Sequence, residues 1–96
     1  MKQYLVTGYD YTDEGALDRR MNARQQHLDG AKRLKESGNF VLGGAMLNDD
    51  GKMIGSTLVL QFESESELQD WKENEIYIVA KVWETVDIKP FKVANI

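Results

Sequence analysis

Cysteine is absent from the 96 residues and histidine occurs once. Disulfides, thiolate zinc sites, cysteine nucleophiles and metal sites built from several histidines of one chain are therefore excluded. Basic residues are too few to matter as a surface: Lys and Arg number 12 against 16 Asp and Glu, a formal net charge of -4. Such a balance leaves no basic face for a phosphate backbone, so nucleic acid is not an expected partner. No apolar run approaches the length of a membrane span, and Met1 to Val6 carries no apolar stretch of signal-peptide length. The expectation is a cytoplasmic protein with no membrane partner. A chain of this length folds as one domain, residues 1–96, able to bury a core.

What is present centres on Arg20-Met21-Asn22-Ala23-Arg24-Gln25-Gln26-His27-Leu28. At 100° per residue, Leu17, Met21, Leu28, Ala31 and Leu34 share one broad stripe, the mark of a helix lying on a core. Arg24 falls near the middle of that stripe, with Arg20 and His27 toward its Leu34 edge. Spacings of seven and three residues send all three polar side chains off the same side. Guanidinium groups facing a core are costly unless a cavity, water or an acid receives them. The stretch therefore points to an anion-receptive pocket with one titratable group.

The rest of the chain supplies the frame. Residues 3–9 read as a strand, and Thr12 or Asp13 is placed to cap a helix over 15–37 that ends at Gly38. Residues 40–47 form a second strand, with Phe40, Leu42, Gly44 and Met46 on one face and Val41, Gly43 and Ala45 on the other. Gly43-Gly44 inside it suggests close approach of a ligand or another backbone. Asn48-Asp49-Asp50-Gly51 marks a hairpin turn rather than a calcium loop. A third strand, 53–62, carries Ser56, Leu58, Leu60 and Phe62 on one face. Ser64-Glu65-Ser66-Glu67 fits a capping box before a short helix with Leu68 and Trp71 as its apolar contacts. One more helical turn near Ile76 to Ala80 precedes a last strand, 82–91, with Pro90 at its end or edge. Strand, helix, strand, strand, helix, strand predicts a ferredoxin-like βαββαβ α+β sandwich. Two helices cover one sheet face only; Val41, Ala45, Val59 and Trp83 or Phe91 are left on the other, which predicts a homodimer of the dimeric α+β barrel type.

Four blocks carry a resemblance. Arg20-x-x-x-Arg24-x-x-His27-Leu28, Gly38 to Met46, Gly55-Ser56-Thr57 with Phe62-Glu63-Ser64, and Val86-Asp87-Ile88-Lys89-Pro90-Phe91-Lys92 together resemble the YCII-related (YciI-like) domain family. The resemblance implies a ferredoxin-like fold, dimers, and a cleft with a His-Asp active site; some members are dehalogenating lyases on muconolactone-like substrates. It makes His27 the family histidine, with Arg24 and Arg20 as basic neighbours. Where the family has Asp-Pro-Tyr, this chain has Glu75-Ile76-Tyr77, and Lys81 stands where a small residue is common. Both departures point to an altered substrate or a lost activity.

Two classes of function follow. In the first, a cofactor-independent lyase or isomerase acts on a small carboxylate-bearing molecule, with His27 as general acid or base, Glu75 orienting it, and Arg24, Arg20, Tyr77, Gly44 and Ser56 binding substrate. In the second, the cleft binds a small molecule or serves a dimeric interaction module without turnover. Bland readings stand beside each residue: an imidazole hydrogen-bonded at the helix edge, arginines reaching Glu36, Asp70 or Glu73 on the surface, and Tyr4, Trp71, Tyr77 and Trp83 as core or dimer-face aromatics. Ser56 lacks the strained turn of a nucleophile.

Overall fold

The computed structural model describes residues 1–96. Strands β1 (Lys2–Asp10), β2 (Phe40–Leu47), β3 (Met53–Phe62) and β4 (Trp83–Phe91) form one antiparallel sheet in the order β2-β3-β1-β4. Helices α1 (Ala16–Glu36), α2 (Glu65–Asn74) and the short α3 (Ile76–Val79) complete the chain. This is the ferredoxin-like α+β architecture. No helix is long and apolar enough to cross a membrane.

The core follows from strand alternation. Tyr4 and Val6 of β1 and Leu58, Leu60 and Phe62 of β3 bury one sheet face, closed over by Ala23, Tyr77 and Val82. Gly8 and Asp10 continue the same alternation on β1, and both are buried. A Cβ at Gly8 would lie 2.3 Å from the Trp83 ring, so bare backbone is what seats the indole. Trp83 is thus a core residue, 4% exposed, and not part of the open sheet face as expected. Phe91 does lie on that face, paired with Gln3 and 41% exposed.

The expected faces of β2 need a second correction. Phe40 pairs with Leu60 and Leu42 with Val59, so Val41 is extra and the strand changes phase there. Beyond this bulge Gly43 and Ala45 oppose Leu58 and Ser56 on the helix side, while Leu42 and Gly44 turn outward. Gly43 is bare because its Cβ would meet Leu58 at 2.5 Å; around Gly44 nothing crowds that position.

Helix α1 also differs from its expected orientation. The residues it buries are Ala16, Arg20 and Ala23, whereas Leu17, Met21 and Leu28 are each at least 40% exposed. Its true inner line runs through Arg20, Ala23 and His27, and Arg24 sits on the exposed flank. Thr12 and Asp13 do not cap it; Gly15 holds that position, and Asp13 instead receives the Gly15 N–H and a two-pronged ion pair from Arg19. That pairing holds the Asp13 carboxyl at about 2, below the usual carboxylate value. At α2, Ser64 caps through the Glu67 N–H as its motif suggests.

Two helix ends use the same backbone device with different residues. After α1, Gly38 N–H bonds Lys35 and Asn39 N–H bonds Leu34; after α3, Lys81 N–H bonds Ile78 and Val82 N–H bonds Tyr77. Both are Schellman closures, which place one residue in the left-handed region. Gly38 takes it at φ 80°, and Lys81 takes it at φ 58° with a side chain attached. Lys81→Gly is accordingly expected to raise stability by about 1 kcal/mol, read as a higher urea midpoint.

Candidate active site

Between α1 and the β2–β3 hairpin lies a cavity of about 140 Å³. An apolar cavity of about 150 Å³ holds benzene, so the space is that of one six-membered ring. One wall is apolar, from Leu28, Phe40, Met53 and Leu58; the other presents Arg20, Arg24, His27, Ser56 and Tyr77.

His27 is placed by α1 one helical step beyond Ala23, and its side chain is 11% exposed. Its Nδ1 lies 2.6 Å from Glu75 Oε1. The same oxygen accepts the Tyr77 N–H at 3.2 Å, because Glu75 is the N-cap of α3. An oxygen that accepts from the backbone fits a carboxylate acceptor, which puts a histidine proton on Nδ1, the nitrogen that faces it. The Nε2 edge is left for the cavity that His27 lines. The ring itself is clamped: Tyr77 stacks on it at 3.9 Å with 4° between planes, and Trp83 meets its edge at 6.0 Å. Burial raises the Tyr77 hydroxyl above its ordinary value, against the pull of Arg20 and Arg24, so it stays protonated and is no competing base.

The two arginines separate. Arg20 is 3% exposed and sealed: Nη1 lies 2.9 and 3.1 Å from the two Asp10 carboxylate oxygens, Nη2 donates to Ser56 Oγ at 2.8 Å, and the guanidinium lies 4.9 Å over the Tyr77 ring. Trp83 Nε1 donates to the same Ser56 oxygen at 3.3 Å. Arg24 has no acid within ion-pair distance, so it is the uncompensated cation at this cavity. Glu36, Asp70 and Glu73 take neither arginine. No group of acids and histidines is assembled as a metal centre would need.

The YCII-related domain matches residues 3–92. The chain belongs to that family. It is 34% identical over 95 residues to Protein YciI of Escherichia coli O6:H1, covering 93% of this chain and 95% of that one. It is 32% identical over 95 residues to an uncharacterized protein of Haemophilus influenzae, with the same coverage. Among solved structures it is similar to 5-chloro-2-hydroxyhydroquinone dehydrochlorinase (TftG) of Burkholderia phenoliruptrix in complex with 2,5-dihydroxybenzoquinone, at TM-score 0.81 and 26% identity over 96% of this chain and 95% of that one. A dimeric ferredoxin-like protein of Jannaschia shares the fold at TM-score 0.55 and 19% identity over 97% of this chain and all of that one.

In this YCII-related chain, six of the seven site residues expected from sequence line the one cavity: His27, Arg24, Arg20, Tyr77, Gly44 and Ser56. The seventh, Glu75, stands behind His27. Two residues that support the site were not assigned to it from the sequence. Asp10, which lies one residue beyond the strand expected over 3–9 and closes β1, was signalled by the alternation Tyr4, Val6, Gly8, Asp10. Trp83 was read from sequence without a place in the site; bare Gly8 on the neighbouring strand makes the room its indole occupies.

Proposed function

We propose that this chain is a cofactor-independent lyase or isomerase that moves a proton on a small anionic molecule of single-ring size, a carboxylate or an acidic enol. The observation that carries the reading is the His27–Glu75 contact at the edge of a ring-sized cavity whose free cation is Arg24. His27 Nε2 takes a proton from a ligand carbon or hydroxyl, and the electron pair moves onto the conjugated oxygen as an enolate. Arg24 stabilises that charge. The enolate then collapses and expels a leaving group, so that the ligand loses H–X overall; in an isomerisation His27 returns the proton at another carbon. No redox partner is needed. Similarity to a dehydrochlorinase bound to a dihydroxyquinone supports a ring ligand and an elimination. Glu75 touching the imidazole favours this reading over a binding module without turnover, because the longer acid reaches the ring despite the missing proline.

The test compares wild type with His27→Ala on halogenated hydroxyhydroquinones, muconolactone-like lactones and a cellular metabolite pool, following halide release and substrate loss. Wild type is expected to consume at least one compound, and His27→Ala to do so at least about 10²-fold more slowly. Equal loss in both samples removes the enzyme reading. Binding of 2,5-dihydroxybenzoquinone, followed by its visible absorption, without any turnover would leave the binding module.

A homodimer packed through the outer sheet face accompanies this proposal. Leu42 is 55% and Phe91 41% exposed there, beside Leu5 and Val59, and dimeric proteins of this fold support it. Sedimentation at twice the 11.0 kDa chain mass is expected, and a single-chain mass at micromolar concentration would refute it.

A further inference from the structure

We infer that the ring cavity continues into an open groove between α1 and the start of β3, and that this groove holds an aliphatic substituent on the ligand's ring. Leu17, Met21, Arg24 and Leu28 follow one another along a single face of α1. The three apolar ones are 40%, 48% and 41% exposed, and Ile54 of β3 is 42% exposed. Arg24 and Leu28 line the cavity, whereas Leu17 and Ile54 line a separate groove of about 380 Å³. Met53 lines both, so the two spaces adjoin. An apolar row that leads out of a binding cavity and stays open to water is unfavourable as bare surface, and it suits a ligand that extends past the cavity mouth.

The row sets the size and chemistry of its occupant. The cavity of about 140 Å³ has room for the ring alone, so anything attached to the ring lies outside it. From Arg24 to Leu17 is seven residues, about 10 Å along the helix, which an extended chain of roughly eight methylenes spans. The groove's other wall includes Tyr11, Thr12 and Asn48, so a chain lying there buries mainly the side turned to Leu17 and Ile54. An uncharged aliphatic chain fits this strip better than a protein surface does. A stable protein contact takes about 20–30 residues a side, and one laid across the row would strip water from Arg24, which has no acid within ion-pair distance. The ring then sits against His27 with its anionic oxygen at Arg24, and its chain runs toward Leu17.

This rests on the proposed ring-binding reading, and the experiment separates the two. The probes are 2,5-dihydroxybenzoquinone and its 3-alkyl derivatives from methyl to dodecyl, titrated by their visible absorption into wild type, Leu17→Ser and Ile54→Ser. Both substitutions fall on exposed side chains, and each protein's affinities are read relative to its own affinity for the unsubstituted ring. In wild type, affinity is expected to rise roughly twofold per methylene, about half the free energy of full burial, and to level off near eight. Leu17→Ser and Ile54→Ser should each bind the octyl compound roughly fourfold more weakly, with the unsubstituted ring unchanged. A series that is flat in wild type would overturn the groove assignment and leave the ring-binding reading standing. So would a rise that continues to dodecyl and ignores both substitutions, since that is unspecific adhesion. Sedimentation covers the remaining occupant: Leu17→Ser with Met21→Ser is expected to keep the wild-type mass, and a fall would make the row a contact between copies and overturn the proposal. No binding of any probe by wild type would overturn both readings.

Discussion

Asp10→Ala is expected to cost about 3–5 kcal/mol of folding free energy, the largest effect of any single change outside the apolar core. The reason lies in Arg20, which cannot shed its charge by losing a proton. Its side chain is 3% exposed and that of Asp10 6%. Of its three nitrogens, Nη1 is satisfied by Asp10 and Nη2 by Ser56, while Nε finds no partner. Removing the acid leaves a buried cation with one neutral hydrogen bond and an aromatic face. The double replacement Asp10→Leu with Arg20→Met removes both charges and is expected to lie within about 2 kcal/mol of wild type. Urea midpoints at constant m read both differences; equal losses in the single and double variants would show that packing, not the uncompensated charge, sets the cost.

The same pair carries a pH signature. Burial pushes the Asp10 carboxyl above its ordinary value of 3.8, against the opposing charge and hydrogen bonds of Arg20. With the folded value raised, the folded chain binds this proton more tightly than the unfolded chain. Its contribution to stability is fully present below the unfolded value and is lost as pH rises through the folded value. A plot of stability against pH just above 3.8 is therefore expected to gain a positive increment on going from wild type to the double variant, because this opposing slope is gone.

How much of this was legible in sequence depended on whether a partner lay nearby in the chain. Strand alternation, the Gly38 stop and the Ser64 cap are local, and the architecture built from them stands. The orientation of α1 is not local. Leu17, Met21 and Leu28 outweigh Arg20 in any periodicity count, yet Arg20 goes inside because Asp10, ten residues earlier on β1, receives it. A buried polar group with a good partner overrides the apolar stripe, and the partner is invisible until the sheet is built. The bulge at Val41 is of the same kind: two glycines announce an irregularity, but only pairing with β3 shows that Ala45 turns toward the helices. His27 was legible through its motif. Glu75 reaches it only because α3 is a separate turn capped by that very residue, a geometry the spacing of 48 residues does not encode.

That cap makes a series at Glu75 the sharpest probe of the dyad. One oxygen serves both His27 Nδ1 and the Tyr77 N–H, so Glu75→Ala loses two functions together. It is expected to cost about 1 kcal/mol of stability through the lost cap and roughly 10³ in kcat through the unfixed imidazole. Glu75→Gln divides these functions. A glutamine carbonyl oxygen in the same position accepts from both donors, so the cap and the tautomer survive, and stability should stay within about 0.5 kcal/mol of wild type. What vanishes is the negative charge that, in the proposed mechanism, stabilises the imidazolium formed when Nε2 takes its proton. A fall in kcat of roughly 10², with little change in KM, is the expected result. Full activity in the glutamine variant would mean that the acid only holds the ring in place, and that the charge needed as the proton arrives comes from elsewhere in the cavity. Full activity in the alanine variant would remove Glu75 from the mechanism altogether and leave Tyr77 and Trp83, the rings packed on His27, as all that orients it.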